Sequence, residues 1–206
     1  MKRALIFGGG VYGDEFPVIT SDDFIIAADK GVEILTEKGL VPHITVGDFD
    51  SSSFIPTENV IRLPVEKDVT DTFAAVETAL EKGCDEIYIY GGMGGRPDHT
   101  FANYSLVASL SEKGIKAYLF GENYVISALS CEDVTLSGIP GSTISFFSWT
   151  ETCEGVTLKG VKYPLEGAVL TKNFALGVSN SFVDEEAVAS VERGILLIMQ
   201  ENAIDK

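Results

Sequence analysis

Three stretches of this chain combine residue types that can do chemistry at the spacing they have. The first is Val46-Gly47-Asp48-Phe49-Asp50-Ser51, which follows the apolar run at 44–46. Two aspartates one residue apart project to the same side of an extended chain. Like charges held that close repel unless a cation joins them, so the pattern suits a divalent metal. It suits an Asx-rich turn with solvated aspartates as well. The second stretch is Lys67-Asp68-Val69-Thr70-Asp71. Thr70 can cap a helix there, and acidic residues favour helix N-termini. Capping therefore accounts for the block by itself, although Asp68 and Asp71 can also face one end of a sheet together. The third stretch is Tyr90-Gly91-Gly92-Met93-Gly94-Gly95-Arg96-Pro97-Asp98-His99. Its glycines, Gly94 and Gly95 among them, let backbone N–H groups come close to a ligand. Arg96 offers a planar fork that matches phosphate oxygens. The run lacks the Gly-Lys-Ser/Thr ending of a P-loop. Asp98 and His99 stand at the entrance of the helix that follows.

These residues need elements to position them. Short apolar runs at 4–7, 24–28, 44–46, 60–63, 86–90 and 116–120 read as strands. Helical patterns lie between them at about 30–38, 70–82 and 99–113, and each stops at a lysine followed by Gly39, Gly83 or Gly114, a C-terminal cap. The second helix is predicted to bury Phe73, Val76, Ala79 and Leu80, and the third Asn103, Leu106, Val107 and Leu110. Strands alternating with helices predict an α/β N-terminal domain with a mainly parallel sheet. In such a sheet ligands bind at the carboxyl ends of the strands, where the acidic and glycine-arginine loops fall. After Gly121 the pattern changes. Runs at 124–129, 134–136, 143–149, 156–158, 168–171 and 194–200 read as strands punctuated by glycines, which predicts an all-β sandwich domain. The expected domains are 1–121 and 122–206.

Bulk properties narrow the function. With 206 residues, 45% hydrophobic and 22% charged, the chain is an ordinary folded protein. A formal charge of −16 repels nucleic acid. The phosphate-binding features stand against that charge unless a divalent cation held by clustered carboxylates faces the phosphates. No stretch approaches the roughly 18 apolar residues of a membrane span. The apolar run at 4–7 is cut off by Gly8-Gly9-Gly10 with no cleavage site after it, so it reads as a first strand and the protein as cytoplasmic. Cys84, Cys131 and Cys153 form neither a disulfide framework nor a zinc spacing.

At this point the chain resembles the thiamine pyrophosphokinase family in its bacterial form. The matching blocks are GDFDS at 47–51, KDVTD at 67–71 and GGMGGRPDH at 91–99 with Asn103 beyond it, then GVKYPL at 160–165 and GVSNSF at 177–182. The resemblance spans nearly the whole chain. It implies a nucleotide-binding catalytic α/β domain, a thiamine-binding β-sandwich, and a homodimer with active sites between subunits. It implies Asp48, Asp50, Asp71 and Asp98 around Mg²⁺ and the phosphates, with Asp68 and Arg96 in the ATP site. It assigns Ser179, Asn180 and Ser181 to the thiamine pocket, and Tyr163 to an aromatic position that is tryptophan in animal members. An early motif, usually Ala-Asp-Gly-Gly, stands here as Ala28-Asp29-Lys30-Gly31.

The reaction so implied is attack of thiamine's primary hydroxyl on the β-phosphorus of ATP, with AMP leaving. Such a step asks for positioning and charge neutralisation rather than covalent chemistry. Mg²⁺ on Asp48, Asp50 and Asp71 and the charge of Arg96 supply these. Asp98 or Asp71 can take the hydroxyl proton; His99 is a weaker base candidate and reads more readily as a helix-start residue. Two rivals stand beside this reading. A phosphoaspartyl phosphatase would use Asp48 as nucleophile, although its Asp-x-Asp pair usually follows a chain's first strand. A non-catalytic nucleotide or thiamine sensor would have little need of so many carboxylates.

Overall fold

The computed structural model describes residues 2–13, 16–49, 58–66 and 68–201. Two compact units emerge, Met1–Leu106 with Ile115–Glu122, and Val107–Gly114 with Asn123–Lys206.

In the first unit six strands form a parallel array. They are β1 (Arg3–Phe7), β2 (Phe24–Ala28), β3 (Ile44–Gly47), β4 (Val60–Arg62), β5 (Glu86–Tyr90) and β6 (Lys116–Phe120), in spatial order β6-β5-β1-β2-β3-β4. β1 and β2 are apolar almost throughout because both faces are covered, as parallel strands require. One face buries Leu5, Phe7, Ile25 and Ala27 against Val32 and Leu35 of helix α1 (Gly31–Glu37). On that face Phe7 stacks on Tyr90 and Phe16, with ring centroids 5.4 and 5.3 Å apart. Burying a side chain such as Phe7 completely contributes about 1.5–3 kcal/mol.

Helices α2 (Asp71–Glu81) and α3 (Pro97–Glu112) complete the pattern expected from the sequence. Thr70 caps α2, its Oγ1 accepting from the backbone N–H of Phe73 at 3.2 Å, an interaction worth about 1 kcal/mol. Gly39, Gly83 and Gly114 take φ of 70°, 77° and 72°, the left-handed conformation that ends a helix. The buried face of α2 differs from the expected one. Ala75, Val76, Thr78 and Ala79 are buried while Phe73 is 36% exposed. Small side chains let the helix lie close to the strands, and the aromatic ring falls off that line of contact.

The second unit is a β-sandwich. Its strands are β7 (Tyr124–Ser130), β8 (Asp133–Ser137), β9 (Thr143–Ser148), β10 (Thr152–Lys159), β11 (Leu165–Thr171), β12 (Gly177–Ser181), β13 (Glu186–Ser190) and β14 (Ile195–Glu201). Two antiparallel sets, β12-β9-β14-β7 and β11-β10-β13-β8, enclose a core built on Ile144, Phe146, Leu158, Leu170, Phe182 and Leu196. β12 and β13 were not expected from the sequence. Gly-Val-Ser-Asn-Ser has no apolar run, and Glu-Ala-Val-Ala-Ser alternates with small residues, so neither carries a strong strand signal.

Candidate active site

β1 lies between β2 and β5, with β2, β3 and β4 laid out on one side of it and β5 and β6 on the other. That switch point is where an open parallel sheet presents a crevice at its carboxyl edge. Three glycines, Gly8 to Gly10, follow β1 there. They run backbone to backbone beside the loop after β5: Gly8 N–H donates to Tyr90 O at 2.8 Å and Gly10 N–H to Gly91 O at 2.7 Å. A Cβ on Gly8 would stand 2.8 Å from Gly91 O, so only glycine allows this approach. The loop after β5 is held from below by Asn103. Its buried amide donates to Gly92 O at 2.7 Å.

The loop after β2 completes the wall. Asp29 adopts φ 47°, a left-handed conformation that aspartate tolerates better than most residues. Its N–H donates to Val46 O at 2.8 Å, tying the ends of β2 and β3 together. The result is a cleft of about 360 Å³ walled by Gly8–Gly10, Asp29, Lys30, the glycines of the loop after β5, Arg96, His99 and the start of α2 at Thr70–Thr72. Oδ1 of Asp29 and Oδ1 of Asp71 are buried. Arg96 donates to Asp98 from Nε at 3.2 Å and from Nη2 at 2.6 Å. The hydrogen bonds from Arg96 hold the Asp98 carboxyl below the usual carboxylate range, and raise the Arg96 guanidinium in turn.

The structure thus gathers Asp29, Asp71, Gly94, Gly95, Arg96 and His99 around one cleft. Asp98 stands outside its wall but is bonded to Arg96. Asp48 is half-buried at the end of β3, directly after Gly47. A Cβ on Gly47 would lie 3.1 Å from the Cα of Asp29, so the two strand ends are immediate neighbours. Asp68 is exposed and outside the wall. Asp50 and Lys67 lie outside the described residues. Among the described residues no three His, Cys, Asp or Glu side chains are grouped closely enough to hold a metal. Sequence reasoning missed Gly8–Gly10 and Lys30 as cleft residues. The available signal was the position of three glycines at the end of the first strand, the same argument that singled out the loop after β5.

In the second unit Asn180 of β12 is buried, at 4% exposure. Its Oδ1 accepts from the N–H of Tyr163 at 2.9 Å and its Nδ2 donates to the carbonyl of Tyr163 at 2.8 Å. Both backbone groups of Tyr163 are therefore gripped by one amide, and the Tyr163 ring is left 58% exposed. Ser179 is exposed with φ 57°, and its N–H donates to Ser145 Oγ at 3.1 Å. Ser181 is half-buried and its N–H also donates to Asn180 Oδ1, at 3.0 Å.

A parallel α/β unit with a glycine-walled cleft at its switch point, followed by an antiparallel sandwich, is a two-part ligand-handling architecture. Residues 17–119 match the family profile "Thiamin pyrophosphokinase, catalytic domain", and residues 130–196 match "Thiamin pyrophosphokinase, vitamin B1 binding domain". The thiamine pyrophosphokinase of Bacillus subtilis is 31% identical over 185 residues, which is 85% of this chain and 86% of that protein. A crystal structure of the Bacillus subtilis thiamine pyrophosphokinase superposes with a TM-score of 0.88 at 29% identity, covering 98% of this chain and 100% of that one. The thiamin pyrophosphokinase of Geobacillus thermodenitrificans superposes at 0.85 with 26% identity, covering 98% and 99%. The chain belongs to the thiamin pyrophosphokinase family, enzymes that transfer the diphosphate of ATP to thiamine.

Proposed function

We propose that residues 1–121 bind the nucleotide in the cleft at the ends of β1, β2 and β5, and that residues 122–206 bind thiamine on the surface around Tyr163, Ser179 and Ser181. The observation that carries this reading is the convergence in one cleft of close-packed glycine backbone, two buried carboxylate oxygens and Arg96. Backbone N–H groups and a guanidinium fork suit a polyphosphate. Asn180 acts by holding the Tyr163 backbone, so that the exposed ring can pack against the aromatic and cationic rings of the vitamin.

The donor set nearest the cleft is all carboxylate, which fits a hard divalent cation such as Mg²⁺. Asp48 and Asp71, with Asp50 two residues further along the sequence and Asp98 beside Arg96, would be the residues to hold it, although the described ones are not grouped around one point; when bound, it would neutralise phosphate charge. The chain's own groups do the rest. The glycine loops and Asp29 orient the triphosphate, with Asp68 and His99 at its margin. Arg96 stabilises charge that builds on the diphosphate as thiamine's hydroxyl attacks the β-phosphorus and AMP leaves. Asp71 or Asp98 takes the hydroxyl proton. No described helix is long and apolar enough to cross a membrane, and the reading takes the enzyme as a cytoplasmic homodimer with active sites between subunits.

The test is turnover with ATP, thiamine and Mg²⁺. AMP release that requires thiamine and stops on chelation is the expected result. Orthophosphate release without thiamine would instead indicate a phosphatase, and binding without turnover a sensor. Asp48→Asn is expected to lower the rate by about 10²-fold or more with the fold intact. Wild-type activity in the folded variant overturns the metal assignment.

A further inference from the structure

The wall of the cleft contains two basic side chains, Lys30 and Arg96. They differ in what they already hold. Arg96 spends its fork on Asp98. Lys30 is exposed and makes no ion pair and no side-chain hydrogen bond among the described residues. A Cβ on Gly9 would lie 2.8 Å from Lys30 Cβ and 3.6 Å from its Cγ and Cδ, so the stem runs against the glycine loop after β1. Lys30 also follows Asp29 directly, and Asp29 is pinned to β3 through its N–H to Val46 O at 2.8 Å.

The charge balance makes the lysine consequential. The chain carries −16, and Asp29 and Asp71 line the same cleft. A phosphate chain entering there meets carboxylates as well as cations, and one of the two cations, Arg96, is engaged with Asp98. A primary ammonium on a flexible stem can follow phosphate oxygens as a point charge without the fixed geometry a guanidinium needs.

We propose that Lys30 is an affinity-determining residue for the nucleotide: its ammonium binds the phosphate tail of ATP and sets the affinity for it, separately from Arg96. The inference rests on the reading that this cleft receives the polyphosphate. Lys30→Met keeps the stem against Gly9 and removes only the charge. It raises the KM for ATP on the order of tenfold, as loss of one charge-assisted contact does, while kcat and the KM for thiamine stay within about twofold. The inhibition constant of inorganic tripolyphosphate rises by the same factor and that of adenosine does not move. Lys30→Arg restores most of the ATP affinity, and Lys30→Gly behaves like Lys30→Met, which separates charge from packing. Unchanged ATP and tripolyphosphate affinities in Lys30→Met overturn the inference. Arg96→Gln, assayed in parallel, distinguishes the two failures. If it weakens tripolyphosphate while Lys30→Met does not, the cleft reading stands and only the role of Lys30 falls. If neither variant weakens it, the cleft reading falls as well.

Discussion

Arg96 and Asp98, two residues apart at the start of α3, hold each other through two hydrogen bonds of 3.2 and 2.6 Å while their side chains remain 70% and 62% exposed. A pair so exposed adds little to stability, because water and salt screen it. Its geometry instead keeps a guanidinium fork at the mouth of the cleft, where phosphate oxygens can compete with the carboxylate for the same N–H groups. The Asp98 carboxyl, lowered by those hydrogen bonds, stays ionised at any physiological pH.

Arg96→Gln is therefore expected to leave the thermal unfolding midpoint unchanged and to lower turnover by about 10²-fold, the scale of losing one electrostatic stabiliser. Arg96→Lys recovers only part of that loss, since an ammonium cannot reproduce the planar fork. Steady-state kinetics together with a melting curve check both statements. A fall in the melting point with normal turnover would mean that the pair is structural.

Asn180 should behave in the opposite way. Its amide is buried and satisfies both backbone groups of Tyr163. Asn180→Ala strands those groups and is expected to cost about 1–3 kcal/mol of stability. The KM for thiamine rises and that for ATP does not, because the Tyr163 segment loses its anchor. Asn180→Asp keeps the acceptor and loses the donor, and falls between the two. Chemical denaturation and substrate titration separate the stability and binding effects.

Away from the cleft, Asp23 gives a pH signature. It is 5% exposed, accepts from Arg3 Nε at 2.6 Å and Nη2 at 2.7 Å, and accepts from Thr20 N–H at 2.7 Å. The hydrogen bonds from Arg3 lower its pKa below the usual carboxylate value. A depressed folded pKa means that the stabilisation is present above about pH 4, the unfolded value, and is lost as pH falls through the folded value. Asp23→Asn is expected to be less stable than the wild type at neutral pH by about 1–3 kcal/mol. The gap closes as pH drops below about 4, where the wild type loses the same charge. Urea midpoints measured across that range test it; a gap independent of pH would rule out the ion pair as its source.

Much of the fold was legible without coordinates because its signals are local. Lysine-glycine endings marked three helix termini, and each glycine takes the left-handed φ that such an ending needs. Thr70 before an acidic residue announced the cap of α2, and the buried positions Asn103, Leu106, Val107 and Leu110 follow a helical period on α3. Asp71, Gly94, Gly95, Arg96 and His99, proposed as site residues, line one cleft because strand ends in a parallel sheet lie on one edge.

What the tertiary structure alone decided depends on which strands become neighbours, a relation that no local period encodes. β1 pairs with β5 in register at Leu5 and Tyr88, 83 residues apart, which brings Gly8–Gly10 against Gly91, and its pairing with β2 sets Lys30 in the same wall. The strand-end rule identified loops, but it could not say that Asp29 and Asp71 would bury oxygens in the cleft while Asp68 faced solvent. The family resemblance assigned Asn180 to the thiamine pocket, and the structure adds that its amide is engaged with a backbone seventeen residues earlier. Chain composition determines what each segment can form; the register between distant segments determines which polar groups meet a ligand and which are used up in holding the fold.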